Sequence, residues 1–126
     1  MSTAIALERI ATFDDRTPMR YRGILTGAAA IDHYITPGYS FRIIKLELNT
    51  SAPVAVSEDL VVTLDAGDGA TYDTILLKQD LSDGSIQDLV WPADWDDQYE
   101  SDDVVLLTWT NTGTLTYGLR IIIEHV

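Results

Sequence analysis

The last stretch of the chain carries apolar side chains at every second position, namely Leu115, Tyr117, Leu119, Ile121 and Ile123. A period of two is that of a β-strand with one buried face, whereas the apolar face of a helix repeats about every 3.6 residues. Residues 60–64 alternate in the same way. In residues 39–48 we expect Ile44, Leu46 and Leu48 to share the buried face.

Clusters of Gly, Pro, Asn and Asp cut the chain at a spacing of roughly ten residues, which is typical of a sandwich or barrel. No segment has a convincing helical period. We therefore predict an all-β chain, a two-sheet antiparallel sandwich that is jelly-roll-like. About eight strands are expected, over residues 19–25, 31–35, 39–48, 60–64, 72–81, 86–91, 104–110 and 115–123. Residues 82–85 are predicted to be a tight hairpin turn.

The first 18 residues show no clear period and end in the turn-like sequence Asp14-Asp15-Arg16-Thr17-Pro18. We predict an N-terminal arm over residues 1–18, ordered by a neighbouring surface, and a sandwich domain over residues 19–126. The arm residues expected at that interface are Ile5, Leu7, Arg9, Ile10, Phe13 and Arg16.

The formal net charge is −12, and the charges are unevenly distributed. Six of the eight basic residues lie in residues 1–45, while sixteen of the twenty acids lie in residues 46–126. A chain this acidic repels phosphate backbones, so no nucleic-acid partner is expected. No apolar run is long enough to cross a bilayer, so no membrane partner is expected either. The absence of cysteine excludes disulfides, thiolate nucleophiles and cysteine-based zinc sites.

Six acids crowd into the loop after Pro92, namely Asp94, Asp96, Asp97, Glu100, Asp102 and Asp103. Carboxylates are calcium ligands, but this spacing does not match the twelve-residue calcium loop. The alternatives are a solvated loop that keeps sheet edges apart and a glycosidase carboxylate pair. No motif pairs His33 or His125 with a nucleophilic serine. We predict no catalytic residues, no cofactor and no metal site, and therefore no enzyme.

The acidic loop over residues 91–103 also carries the aromatic residues Trp91, Trp95 and Tyr99. Aromatic rings bury a large area at low entropic cost and are enriched at protein interfaces. Three interpretations stay open, which are packing within the loop, a protein interface and a sugar-stacking platform. We predict that these three residues belong to the partner interface together with the arm residues. Trp109, in the middle of a strand, is expected to lie in the core.

The chain from Glu58 onward resembles small β-sandwich virion proteins of tailed bacteriophages, of the head decoration or cement type. The residues that carry the resemblance are LDAGDGATYDTIL at 64–76, QDLSDGS at 79–85, TWTNT at 108–112 and TYGL at 116–119. An acidic, proline-containing loop lies between the second and third of these segments.

The resemblance implies a structural virion protein, a capsid decoration protein that binds and stabilises the assembled head. It would be made in the host cytoplasm and lie on the outer surface of the phage head. Its partners would be the major capsid protein lattice and further copies of itself, as a homotrimer. The alternatives are a tail or fibre-attachment component and a carbohydrate-binding jelly-roll module.

Overall fold

The computed structural model describes residues 2–10, 19–93 and 97–126. In this part of the chain ten strands form, and the one helical element is a single 3₁₀ turn at Ala70–Tyr72. The prediction of an all-β chain is confirmed. The strands are β1 (Thr3–Ala4), β2 (Leu7–Arg9), β3 (Arg20–Gly27), β4 (Ile31–Ile35), β5 (Phe41–Thr50), β6 (Asp59–Asp65), β7 (Thr74–Asp80), β8 (Asp88–Trp91), β9 (Val104–Trp109) and β10 (Tyr117–His125). None of the described residues belongs to a helix with the length and apolar character needed to span a membrane.

The strands form two sheets of five that pack face to face, which confirms the two-sheet sandwich. Sheet I has the order β1-β4-β9-β6-β7, and sheet II has the order β2-β3-β10-β5-β8. The pairing of β1 with β4 is parallel, and every other pairing is antiparallel. Four of the pairings are nested along the chain, since β3 pairs with β10, β4 with β9, β5 with β8 and β6 with β7.

The core lies between the inner faces of the two sheets, where the alternation seen in the sequence places one apolar row per strand. From β10 the buried side chains are Tyr117, Leu119, Ile121 and Ile123. From the facing sheet they include Leu60 and Val62 of β6 and Val105, Leu107 and Trp109 of β9. A fully buried aliphatic side chain contributes about 1.5–3 kcal/mol, so these rows are the main source of stability.

The core differs from the sequence prediction at the start of β5. The pairing of β10 with β5 shifts register between Ile122 and Ile123, so that Lys45 and Ile43 are paired and Ile44 is passed over. This bulge places Ile43 in the core, with 1% of its surface exposed, and leaves Ile44 half-buried. The expectation that Ile44 lies on the buried face is therefore wrong.

The turn at residues 82–85 exists, but it does not join a hairpin, because β7 lies in sheet I and β8 in sheet II. Leu81 is fully buried between the sheets, and its carbonyl accepts a hydrogen bond of 3.0 Å from the Ile86 amide. The carbonyls of Ile86 and Gln87 accept hydrogen bonds from the backbone amides of Val54 and Thr50. The ladder of β8 with β5 begins after them, at Asp88. The chain thus crosses between two edge strands over residues 81–87.

The predicted N-terminal arm is wrong for residues 3–9, which pair with both sheets of their own domain. β1 lies beside β4 in sheet I, and β2 lies beside β3 in sheet II. Between them the Ile5 amide donates to the Tyr34 carbonyl at 2.9 Å, and the Ile5 side chain is buried. Gly23 makes the close approach possible, since a Cβ there would lie 3.1 Å from Ile5 Cγ2 and 3.2 Å from Ile121 Cγ2. The segment crosses from one sheet to the other and closes that side of the sandwich.

Asn111 joins two loops at one end of the sandwich. Its side chain is buried, and its Nδ2 donates to the carbonyls of Ala28 and Ala29 at 3.2 Å and of Leu115 at 3.0 Å. Its Oδ1 accepts the Leu115 amide at 3.0 Å. With φ of 51°, the residue lies in the left-handed region that Asn tolerates better than most side chains. The Asn in the TWTNT segment therefore has a structural role.

We predict that Ile5→Ala lowers the free energy of unfolding by about 2–4 kcal/mol, because it leaves a cavity beneath the crossing segment. Arg9→Ala, at an exposed position of the same segment, should change it by less than about 0.5 kcal/mol. Chemical denaturation of both variants measures the difference. Equal stabilities for the two variants would mean that the segment is a detachable arm after all.

We predict that Asn111→Asp costs about 2–4 kcal/mol, since an isosteric carboxylate repels the three carbonyls and leaves them without a donor. Asp tolerates the same backbone conformation, so backbone strain does not contribute. The control is Thr112→Ala, whose exposed side chain lies beside Asn111 in the same turn. Thermal unfolding followed by circular dichroism compares the two, and an unchanged midpoint for Asn111→Asp would contradict the proposed role.

Candidate protein-docking surfaces

The structure brings few of the predicted interface residues to the surface. Ile5 is buried, and Leu7, Trp91 and Tyr99 are partly buried against the core. Arg9 is exposed, while Ile10 is half-buried and its amide donates to the Arg20 carbonyl at 2.9 Å. The remaining candidates, Phe13, Arg16 and Trp95, lie outside the described residues. Trp109 is buried in the core, as predicted.

Tyr99 attaches the acidic loop to the start of β5. Its amide donates to the Phe41 carbonyl at 2.7 Å, and its carbonyl accepts the Phe41 amide at 3.1 Å. The two rings pack with their centroids 5.4 Å apart. Trp91 pairs with the buried Leu46 across β8 and β5 and contacts the core. These contacts favour the loop-packing interpretation for both residues.

One carboxylate of the acidic loop accepts hydrogen bonds from backbone amides. Asp103 is buried, and its two oxygens accept the amides of Gly67 at 3.0 Å and Glu100 at 2.9 Å. A Cβ at Gly67 would overlap the Asp102 carboxyl group, so the glycine lets the two loops meet. The contact joins the loop before β9 to the loop after β6.

Three exposed carboxylates surround this junction, and we call Asp68, Glu100 and Asp102 the acidic cluster. The negative charges of Asp68 and then Asp102 raise the pKa of the Glu100 carboxyl. Across residues 2–10, 19–93 and 97–126, no group of three or more His, Cys, Asp or Glu side chains is placed to hold a metal ion. Asp94 and Asp96 lie outside those ranges.

The two histidines make structural contacts. The His33 Nδ1 accepts the Asp32 amide at 3.0 Å. The His125 ring packs on Tyr39 with centroids 4.3 Å apart, and burial raises the pKa of Tyr39 to about 12. No hydrogen bond within the described part of the chain joins either histidine to a serine or threonine hydroxyl, so no nucleophile–base pair is seen there.

The side of the sandwich opposite the crossing segment is open, and we call it the open side. It is formed by β7 at the edge of sheet I and β8 at the edge of sheet II, joined by residues 81–87. Among the described strands β7 pairs only with β6, and β8 pairs only with β5. Both strands therefore present unpaired backbone amides and carbonyls.

The three most exposed large apolar side chains of the described residues lie on or beside these two edges. They are Tyr72 at 63%, Val90 at 60% and Ile75 at 57%. Isolated apolar residues on a surface are ordinary, but apolar residues at unpaired strand edges form a template for another chain. The open side can therefore accept an extended segment by strand addition.

The outer face of sheet II holds most of the positive charge, and we call it the Arg120 face. It carries five of the eight basic residues, Arg20, Arg22, Arg42, Lys45 and Arg120. Four of the described acids share it, Glu8, Glu47, Asp88 and Glu124. Ion pairs join Arg20 to Glu124 at 3.3 Å, Arg22 to Glu8 at 2.8 Å and Lys45 to Glu47 at 3.1 Å.

A shallow depression of about 310 Å³ lies on this face beside Arg120. Gly118 forms part of its lining, and no atom lies within 4 Å of where a Cβ would be. The exposed side chains of Ile24 and Val90 also line it. Glu47 and Asp88 line it as well, so the depression combines one cation and two carboxylates with apolar side chains.

The interpretation of the sequence missed Ile24, Tyr72, Ile75, Val90 and Arg120. A signal was present, since the segments ILL at 75–77 and LVW at 89–91 have apolar residues on both faces of a strand. One of those faces must then lie outside the core. Comparison with known protein families, with curated proteins and with solved structures finds no match for this chain.

Proposed function

We propose that this chain is a non-catalytic structural protein that docks on a larger protein assembly through its open side. The observation that carries the proposal is the exposure of Ile75 and Val90 on two edge strands, and of Tyr72 in the turn just before the first of them. The specific form that we propose is a capsid decoration protein on the head of a tailed bacteriophage. That part rests on the resemblance of residues 58–126, and the homotrimer and the capsid lattice as partner belong to it.

The nested pairing of β3 with β10, β4 with β9, β5 with β8 and β6 with β7 supports a jelly-roll assignment. This pattern results when one long antiparallel hairpin, with its turn between β6 and β7, is rolled up into two sheets. The short strands β1 and β2 are then additions that close one side, which leaves the side with the hairpin turn for a partner.

Docking would work by strand addition. An extended capsid segment beside β7 or β8 would satisfy unpaired backbone groups and cover the exposed apolar side chains. A protein that binds the assembled shell but not free subunits stabilises the shell by mass action. This needs no reactive group, which agrees with the structural contacts of His33 and His125.

The second candidate function is attachment in a phage tail or fibre, which would use the same open side. Copy number separates the two, because a head protein is present in proportion to the capsid subunits. The carbohydrate-binding alternative needs exposed aromatic rings. Trp91 and Tyr99, two of the aromatic residues predicted for a sugar-stacking platform, pack against the chain's own core. The exposed Tyr72 is accompanied by the exposed aliphatic residues Ile75 and Val90, which favours a protein partner over a glycan.

We predict that the double change Tyr72→Thr and Ile75→Thr weakens binding to assembled phage capsids at least tenfold, which corresponds to about 1.4 kcal/mol. Thr keeps a high strand propensity at position 75 in β7, Tyr72 lies in the 3₁₀ turn before that strand, and both side chains are exposed, so the thermal midpoint should change little. Co-sedimentation of purified protein with capsids lacking it measures the binding.

The matched control is Val56→Thr, which changes an exposed apolar residue outside β7 and β8. It should bind as the unchanged protein does. Unchanged binding of the double variant would rule out the open side as the docking surface. A lack of binding by the unchanged protein would rule out the decoration function.

A further inference from the structure

The open side exposes part of the core as well as two strand edges. Leu77 of β7 pairs with the fully buried Val62, so its side chain faces the core, yet it is only half-buried. Leu89 and Trp91 of β8 pair with buried residues of β5 and are also only half-buried. All three side chains pack against the core, and no described strand lies beyond them. The two edges therefore border an apolar strip formed by Leu77, Leu89 and Trp91.

The closed side shows how this fold covers such a strip. There an extended segment, residues 3–9, pairs first with β4 and then with β3. Its alternate residues Ile5 and Leu7 pack into the core, while Ala6 between them is exposed. One extended segment thus supplies backbone pairing and an apolar side chain from every second residue. A partner segment of the same kind would fit the open side.

Carboxylates outnumber cations around the open side. Its two edges and their crossing lie in residues 72–91, and β6 and β5 are the strands next to them. Together these fully described segments carry seven carboxylates and three cations. Two of the cations lie in ion pairs within their own sheets, Lys78 with Asp59 at 3.9 Å and Lys45 with Glu47 at 3.1 Å. A partner that approaches this side meets a net negative charge, which favours a basic partner.

Three of these carboxylates lie near the ends of the two edge strands. Asp73 comes immediately before β7, whereas Asp83 lies in the crossing that follows β7, and Asp88 begins β8. All three residues are exposed. A segment laid along β7 would therefore have one of its ends near Asp73 and the other near Asp83 and Asp88. Basic residues at both ends of the segment would be complementary to them.

We propose that the open side binds an extended protein segment that is apolar at every second residue and basic at both ends. This inference rests on the proposed docking function and gives the chemistry of its partner. The segment pairs with the outer edge of β7, which has seven residues against the four of β8. Its inward side chains cover the strip of Leu77, Leu89 and Trp91, and its basic ends lie beside the exposed carboxylates.

The test titrates the full ¹⁵N-labelled chain with three synthetic peptides, KKVTVTVKK, EEVTVTVEE and KKVTPTVKK, and follows the backbone amide signals. The first peptide should bind with a Kd below about 1 mM at low salt and shift the signals of residues 74–80 and 88–91. The second should bind about tenfold more weakly or worse, because its acidic ends meet carboxylates. The third should lose as much, because its central proline lacks an amide donor and interrupts the strand.

The double variant Asp83→Asn and Asp88→Asn should bind KKVTVTVKK about fivefold more weakly, and added salt should reduce the difference. Both changes are isosteric and exposed, so folding should be unaffected. The matched control is Glu8→Gln with Asp32→Asn, which removes two exposed carboxylates on β2 and β4, away from the open side. It should bind the peptide within about twofold of the unchanged protein.

The proposal is overturned if KKVTVTVKK does not bind, if the three peptides bind equally, if the shifted signals lie outside the open side, or if the control loses as much as the double variant. Capsid binding that depends on Tyr72 and Ile75, without binding of the peptide, would leave the proposed function intact and remove the basic segment as the partner. Binding of the peptide as described, without binding to capsids, would remove the decoration function and leave the chemistry of the open side in place.

Discussion

The fold depends on the insertion of β10 between β3 and β5. This last strand pairs with both neighbours along its whole length and turns four alternating side chains, from Tyr117 to Ile123, into the core. Its partners lie far away in sequence, so sheet II is complete only after the end of the chain has joined. Pairings of such long range close large loops before they gain contacts, which predicts slow folding.

The two sides of the sandwich differ in a way that explains how the chain can bind other proteins. On one side residues 3–9 cover residues 21–23 of β3 and 33–34 of β4, with Ile5 buried between the sheets. On the other side no described strand pairs with the outer edges of β7 and β8. Several features limit unwanted pairing there, since β8 has only four residues and β7 carries Lys78 and faces a register shift at Val62. These features hinder indiscriminate pairing with other strands, so the open side favours a partner with a matching shape and charge.

Much of the fold could be predicted from the sequence because alternation and turn residues are local signals. The strand at β10 and the burial of Trp109 follow from a simple period of two. Residues 3–9 could not be predicted, because their strands have two and three residues and the partners are supplied by distant strands. The bulge that buries Ile43 in place of Ile44 depends on register with β10, and the passage of residues 82–85 between sheets depends on the burial of Leu81. The docking surfaces were missed for the same reason, since an exposed Val90 or Ile75 is recognised only once the inner face is known.

Hydrogen exchange measured residue by residue on the isolated protein tests this asymmetry most directly. Residues 21–23 and 33–34, which pair with β2 and β1, should have slowly exchanging amides along both strand edges. Residues 74–80 and 88–91 should show alternating protection, with fast exchange at the amides that point away from β6 and β5. The account would be contradicted if residues 21–23 and 33–34 exchanged quickly along their outer edges, or if the outer edges of β7 and β8 were protected equally well.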